Sequence, residues 1–151
     1  MFLLLWMIMH QQAIRSTVRA IIADRDPATA ELIAELLTSE RIVPLRCSVG
    51  GLSLAFIEQA QAHLLILELG SGDPSPTLAL LDELRGNAPT RELPVIVNST
   101  DDRLLERLAA LLHDLGCVVL AKPFELDDFF SSISLCLGNI VTSACNGSPV
   151  E

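Results

Sequence analysis

Four polar clusters hold the residue types that could do chemistry in this chain: Asp24-Arg25-Asp26, Glu68, Asn98-Ser99-Thr100 and Lys122-Pro123. Carboxylates gathered beside a lysine suit three tasks. They hold a divalent cation, they pair off through charge-assisted hydrogen bonds, or they work as the acid, base and cation of a small enzyme. The enzymatic reading has the least support, because no Gly-rich phosphate loop or dinucleotide fingerprint accompanies them. Ser99 has no histidine base to activate it, so a local hydrogen bond is its expected role. No residue is assigned as catalytic. The clusters mean something jointly only if the fold brings them together.

The elements between them supply that condition. Val18 to Ala23 is a short apolar run, followed by Asp26 as a helix cap and Pro27 in a first helical turn, where its missing N–H costs nothing. Leu32, Ile33, Leu36 and Leu37 then form one helical stripe. Ile42 to Cys47 reads as a strand that Pro44 confines to a sheet edge. Gly50-Gly51 opens the next helix, with Leu52, Ala55, Phe56 and Ala60 inward. Leu64 to Leu67 and Pro94 to Val97 are continuous apolar runs of the kind buried on both faces. A loop from Gly70 to Pro76 and a helix through Leu78, Leu81 and Leu84 separate them. Asp101 to Leu115 is a helix, Cys117 to Leu120 a fifth strand and Phe124 to Leu137 a fifth helix.

Five β/α repeats predict an α/β fold: a doubly wound, flavodoxin-like parallel sheet with helices on both faces. The edge proline favours the strand order 2-1-3-4-5 over its competitor. In such sheets the site lies beyond the carboxyl ends of the strands, where polar residues follow four of the five apolar runs. That coincidence is the strongest functional signal in the sequence.

Over roughly Val18 to Leu137 the chain resembles a receiver domain of two-component response regulators. That family has acidic residues after the first strand, a phosphorylated Asp after the third, Thr or Ser after the fourth and Lys-Pro after the fifth. Asp24, Glu68, Ser99 and Lys122-Pro123 fall at those places, and Leu93-Pro94-Val95-Ile96 precedes Ser99 as in the family. The resemblance implies a cis bond between Lys122 and Pro123, a phosphorelay setting, and a histidine kinase or an output protein as partner.

The departures from the family pattern are concentrated in the pocket. Glu68 stands at the phosphoacceptor position and is longer by about one C–C bond, a misplacement that costs positioned chemistry roughly 100-fold. Arg25 occupies an acidic position that in the family holds Mg²⁺, and a guanidinium there repels the cation. Val119 replaces the usual aromatic switch residue, and Thr100 fills a small-residue position. No cofactor or metal is therefore expected; Asp24 and Asp26 are weak cation candidates, and Asp26 serves equally as a cap. Glu68 either mimics a phosphorylated Asp permanently or marks a degenerate site. Arg25 either replaces the cation by pairing with Glu68 or Asp24, or lies solvated over the pocket.

These readings favour a stand-alone receiver-like signalling module that acts through protein contacts without phosphorylation of its own. A working Mg²⁺-dependent phosphoacceptor and a small α/β enzyme are the alternatives. The net charge of −9 argues against a nucleic-acid partner and gives no attraction to anionic lipid. The four cysteines lack metal-ligand spacing and suit a reducing cytoplasm. Cys47 and Cys117 would lie about 19 Å apart in this strand order, too far for a disulfide.

The leucine-rich faces of the fourth and fifth helices, represented by Leu105 and Phe129, suggest an interface and a homodimer. Residues 1–16 form an apolar extension, too short to span a membrane, with a weak anchor as the alternative to no membrane contact. The receiver-like domain takes 17–138, and 139–151 reads as a flexible tail.

Overall fold

The computed structural model describes residues 1–15 and 17–145, with the side chains of 1–8 and 17–138. In chain order the elements are α1 (Phe2–Arg15), β1 (Val18–Ala23), α2 (Pro27–Ser39), β2 (Ile42–Cys47), α3 (Leu54–Ala60), β3 (Leu64–Glu68), α4 (Ser75–Gly86), β4 (Val95–Ser99), α5 (Asp102–Asp114), β5 (Cys117–Ala121) and α6 (Leu126–Cys145). The five strands form one parallel sheet in the order β2-β1-β3-β4-β5. This is the flavodoxin-like arrangement expected from the repeats. Pro44 sits on the edge strand β2, opposite Ala20, as its missing donor requires.

Strand alternation divides the core in two. Ile21, Leu65, Leu67, Val95 and Val97 point to one face, where Ile57 of α3, Leu81 and Leu84 of α4, and Leu104, Leu105 and Leu112 of α5 cover them. Ala20, Ile22, Leu64, Ile66, Ile96 and Leu120 point to the other, under Ala30, Ile33 and Leu37 of α2 and Phe129, Ile133 and Leu137 of α6. Because both faces are dry, the central strands read as unbroken apolar runs.

Caps set the helix starts. The Asp26 carboxylate accepts from Ala28 N and Asp101 Oδ1 accepts from Leu104 N. Gly50-Gly51 does not open α3. The two glycines lie in a 3₁₀ turn, Val49–Gly51, and α3 begins after Ser53, whose Oγ accepts from Phe56 N. Between α5 and β5 the chain turns at Gly116 with φ +70, a conformation that costs glycine least.

Two expectations need correction. Leu105 and Phe129 are 7% and 1% exposed and belong to the cores on opposite faces of the sheet, so neither presents an interface. The wide leucine faces of these helices, now α5 and α6, mostly fill the interior. Among the described residues, their exposed large apolar positions are Leu111, Leu126 and Leu135. The apolar N-terminal extension is helical, and α6 carries helix to Cys145, past Leu137 where the sequence pattern stops. The rest of the expected tail, 146–151, lies outside the described residues. Cys47 and Cys117 sit on the two opposite edge strands and are free, as is Cys136.

Candidate functional site

The parallel register sets the polar clusters side by side. Ala23 pairs with Leu67, Glu68 with Asn98, and Ser99 with Ala121, so Asp24, Glu68 and Lys122 emerge at neighbouring carboxyl ends. Lys122 Nζ lies 2.7 Å from Asp24 Oδ2 and 3.4 Å from Glu68 Oε1. With side-chain exposures of 8% for Lys122, 1% for Asp24 and 14% for Glu68, the lysine–Asp24 pair is buried and Glu68 keeps a partly exposed edge.

Backbone donors complete the arrangement. Arg25 N donates to Glu68 Oε2 at 2.7 Å, and Asp26 N donates to Asp24 Oδ1 at 2.9 Å. Lys122 N donates to Ser99 O, the Lys122–Pro123 bond is cis, and Ser99 Oγ accepts from Asp101 N. The local hydrogen bond expected of Ser99 is thus made.

The two carboxylates differ in their hold on a proton. Burial raises the Asp24 carboxyl above its usual range and outweighs the hydrogen bond from Lys122. Burial also presses Glu68 upward, but the Arg25 N–H, the Lys122 charge and its bonds with Asp24 and Lys122 prevail and leave it lowered. Glu68 is the firmer anion of the pair.

Arg25 reaches Glu68 through its peptide N–H. Its guanidinium takes part in neither ion pair of Lys122; it lies across Gly70, where an added Cβ would collide with it. Asp26 caps α2, with Oδ2 accepting from Thr29 Oγ1 at 2.6 Å. Thr100 is exposed just beyond β4, and Val119 is 40% exposed on the edge strand β5.

Sequence reasoning gave no role to Gly70 or to the Asn98 side chain. Nothing in the sequence marks Gly70, since its importance lies in the guanidinium above it. Asn98 had a signal, a polar residue ending the apolar run Val95 to Val97. It is fully buried, and neither amide atom has a hydrogen-bond partner.

This donor set does not fit Mg²⁺. The ion needs near-octahedral oxygen ligands, whereas Asp24 and Glu68 spend their oxygens on Lys122, Arg25 N and Asp26 N. Among the described residues no group of three His, Cys, Asp or Glu side chains is placed to hold a metal ion.

No protein-family profile and no curated protein matches the chain by sequence. Solved structures do match by shape. A sensor protein from Polaromonas sp. JS666 is 22% identical at a TM-score of 0.63, over 82% of this chain and 98% of that one. The chemotaxis response regulator CheY4 of Vibrio cholerae is 15% identical at 0.67, over 80% of this chain and 99% of that one. The E. coli RcsC C-terminus, containing a linker and a phosphoreceiver domain, is 19% identical at 0.67, over 85% of this chain and 49% of that one. The chain shares its fold with these proteins.

Proposed function

We propose that this protein is a receiver-like module of two-component signalling that acts by protein contacts, without phosphorylation at Glu68. The observation that carries this reading is the double engagement of Lys122. Its ammonium holds two carboxylates at once, Asp24 buried and Glu68 partly exposed, while a peptide N–H holds the second Glu68 oxygen. Charges that a receiver would offer to a phosphoryl group and a metal are here spent on one another. Glu68 then serves as a fixed anion, lowered in pKa and kept in place from two sides. A histidine kinase or an output protein is the partner this reading implies, and the apolar positions exposed on β5 and α6, Val119 and Leu135, are surfaces it could use.

The test is labelling by a small acyl-phosphate donor, with and without Mg²⁺. The wild type should remain unlabelled under both conditions. Glu68→Asp alone should also fail, because Arg25 still opposes the cation. Glu68→Asp with Arg25→Asp should gain Mg²⁺-dependent label. Labelling of the wild type would sink the proposal and favour a working phosphoacceptor.

A further inference from the structure

Among the described residues, α1 carries a run of exposed apolar side chains that the pocket does not explain. Phe2, Leu4, Trp6 and Ile8 are 93%, 66%, 59% and 46% exposed, and the apolar residues between them are exposed too. Seven consecutive apolar residues at about 100° each pass almost twice round a helix, so this stretch has no polar side. The exposed apolar area is on the order of 1,000 Å², beyond the roughly 300–600 Å² of the largest patch on an ordinary monomer.

Two considerations select the occupant. A protein surface, including a second copy of this chain, covers one side of a helix and leaves the other wet. Helices that are apolar all round belong inside a core or in lipid. The apolar run extends through Met9. Polar His10, Gln11 and Gln12 follow it in the sequence. The net charge of −9 gives anionic headgroups nothing to attract.

We infer that α1 inserts residues 2–8 into a lipid surface, held there by apolar burial. This reverses the sequence-based expectation of no membrane contact. No helix among the described residues is long and apolar enough to cross a membrane. α1 leads into the amino end of β1, whereas Asp24 follows its carboxyl end, about 20 Å away along the strand.

Trp6 is the chain's one tryptophan, so its emission reports on α1. The full chain is titrated with phosphatidylcholine vesicles at fixed low concentration, and separately concentrated without lipid; vesicle flotation measures binding directly. The expected results are a blue shift and flotation with these uncharged vesicles. Leu5→Glu should weaken vesicle binding about 100-fold, as a charge placed in hydrocarbon does. Its far-UV spectrum and urea unfolding should match wild type, since Leu5 is 58% exposed. A blue shift that appears only on concentrating the protein would assign α1 to a second copy and overturn the inference. So would binding confined to phosphatidylserine vesicles, flotation of Leu5→Glu equal to wild type, or neither shift nor flotation.

Discussion

At the scale of single residues, the balance at Lys122 decides how the pocket behaves. Removing one partner of a buried charge cluster leaves the others uncompensated, at a cost of about 3–5 kcal/mol. Lys122→Met should lose that much in urea unfolding near neutral pH. Two carboxylates would then face each other without a cation, and both pKa values would rise above their unfolded values. A raised carboxyl favours the folded state below the unfolded pKa and loses that advantage as pH climbs. The deficit of Lys122→Met relative to wild type should therefore shrink on acidification through the carboxylate range; a pH-independent deficit would contradict the cluster. Asn98 poses the opposite case. Its buried amide has no partner, so Asn98→Leu should raise stability by about 1–3 kcal/mol in the same assay. A loss instead would mean that the amide is satisfied in solution, by water for example.

At the scale of elements, caps and packing separate residues that look alike in sequence. Asp24 and Asp26 are both acidic and two apart, yet only Asp24 enters the Lys122 cluster. Asp26→Ala should lower stability modestly, by the loss of one N-cap, read by thermal or urea unfolding. It should leave the labelling results of the Glu68 and Arg25 variants unchanged. Leu105 and Phe129 fill opposite cores under α5 and α6. Leu105→Glu and Phe129→Glu should unfold the domain, because each buries a charge with no partner. Sedimentation of a folded, monomeric Leu105→Glu protein would refute this packing.

At the scale of the whole molecule, one sheet sandwiched between helix layers joins both cores through the same strands. Ile66 and Leu67 are adjacent on β3 but face different layers. Ile66→Ala and Leu67→Ala should each cost about 2–5 kcal/mol, and far-UV dichroism should show a single transition for both. Burial and the neighbouring Cys117 push the Cys136 thiol up to about 11. Its alkylation at pH 8 should accordingly be slow in the native protein and rise on unfolding, as mass spectrometry would show.

The order of the repeats, the sheet and the place of the site were legible in the sequence because each is local or nearly so. Apolar runs, turn residues and one edge proline encode them at short range. Glu68, Ser99 and Lys122 could be placed at strand ends for the same reason. Burial was not legible, since a leucine stripe looks alike whether a sheet or solvent lies against it; hence Leu105 and Phe129 were misread as surface. Nor could spacing say which nitrogen of Arg25 would meet Glu68. That choice rests on the turn after β1, which offers the peptide N–H, and on Gly70, which leaves room for the guanidinium. Contacts between residues more than forty positions apart exist only once the sheet closes, and those contacts set the charge state of the pocket.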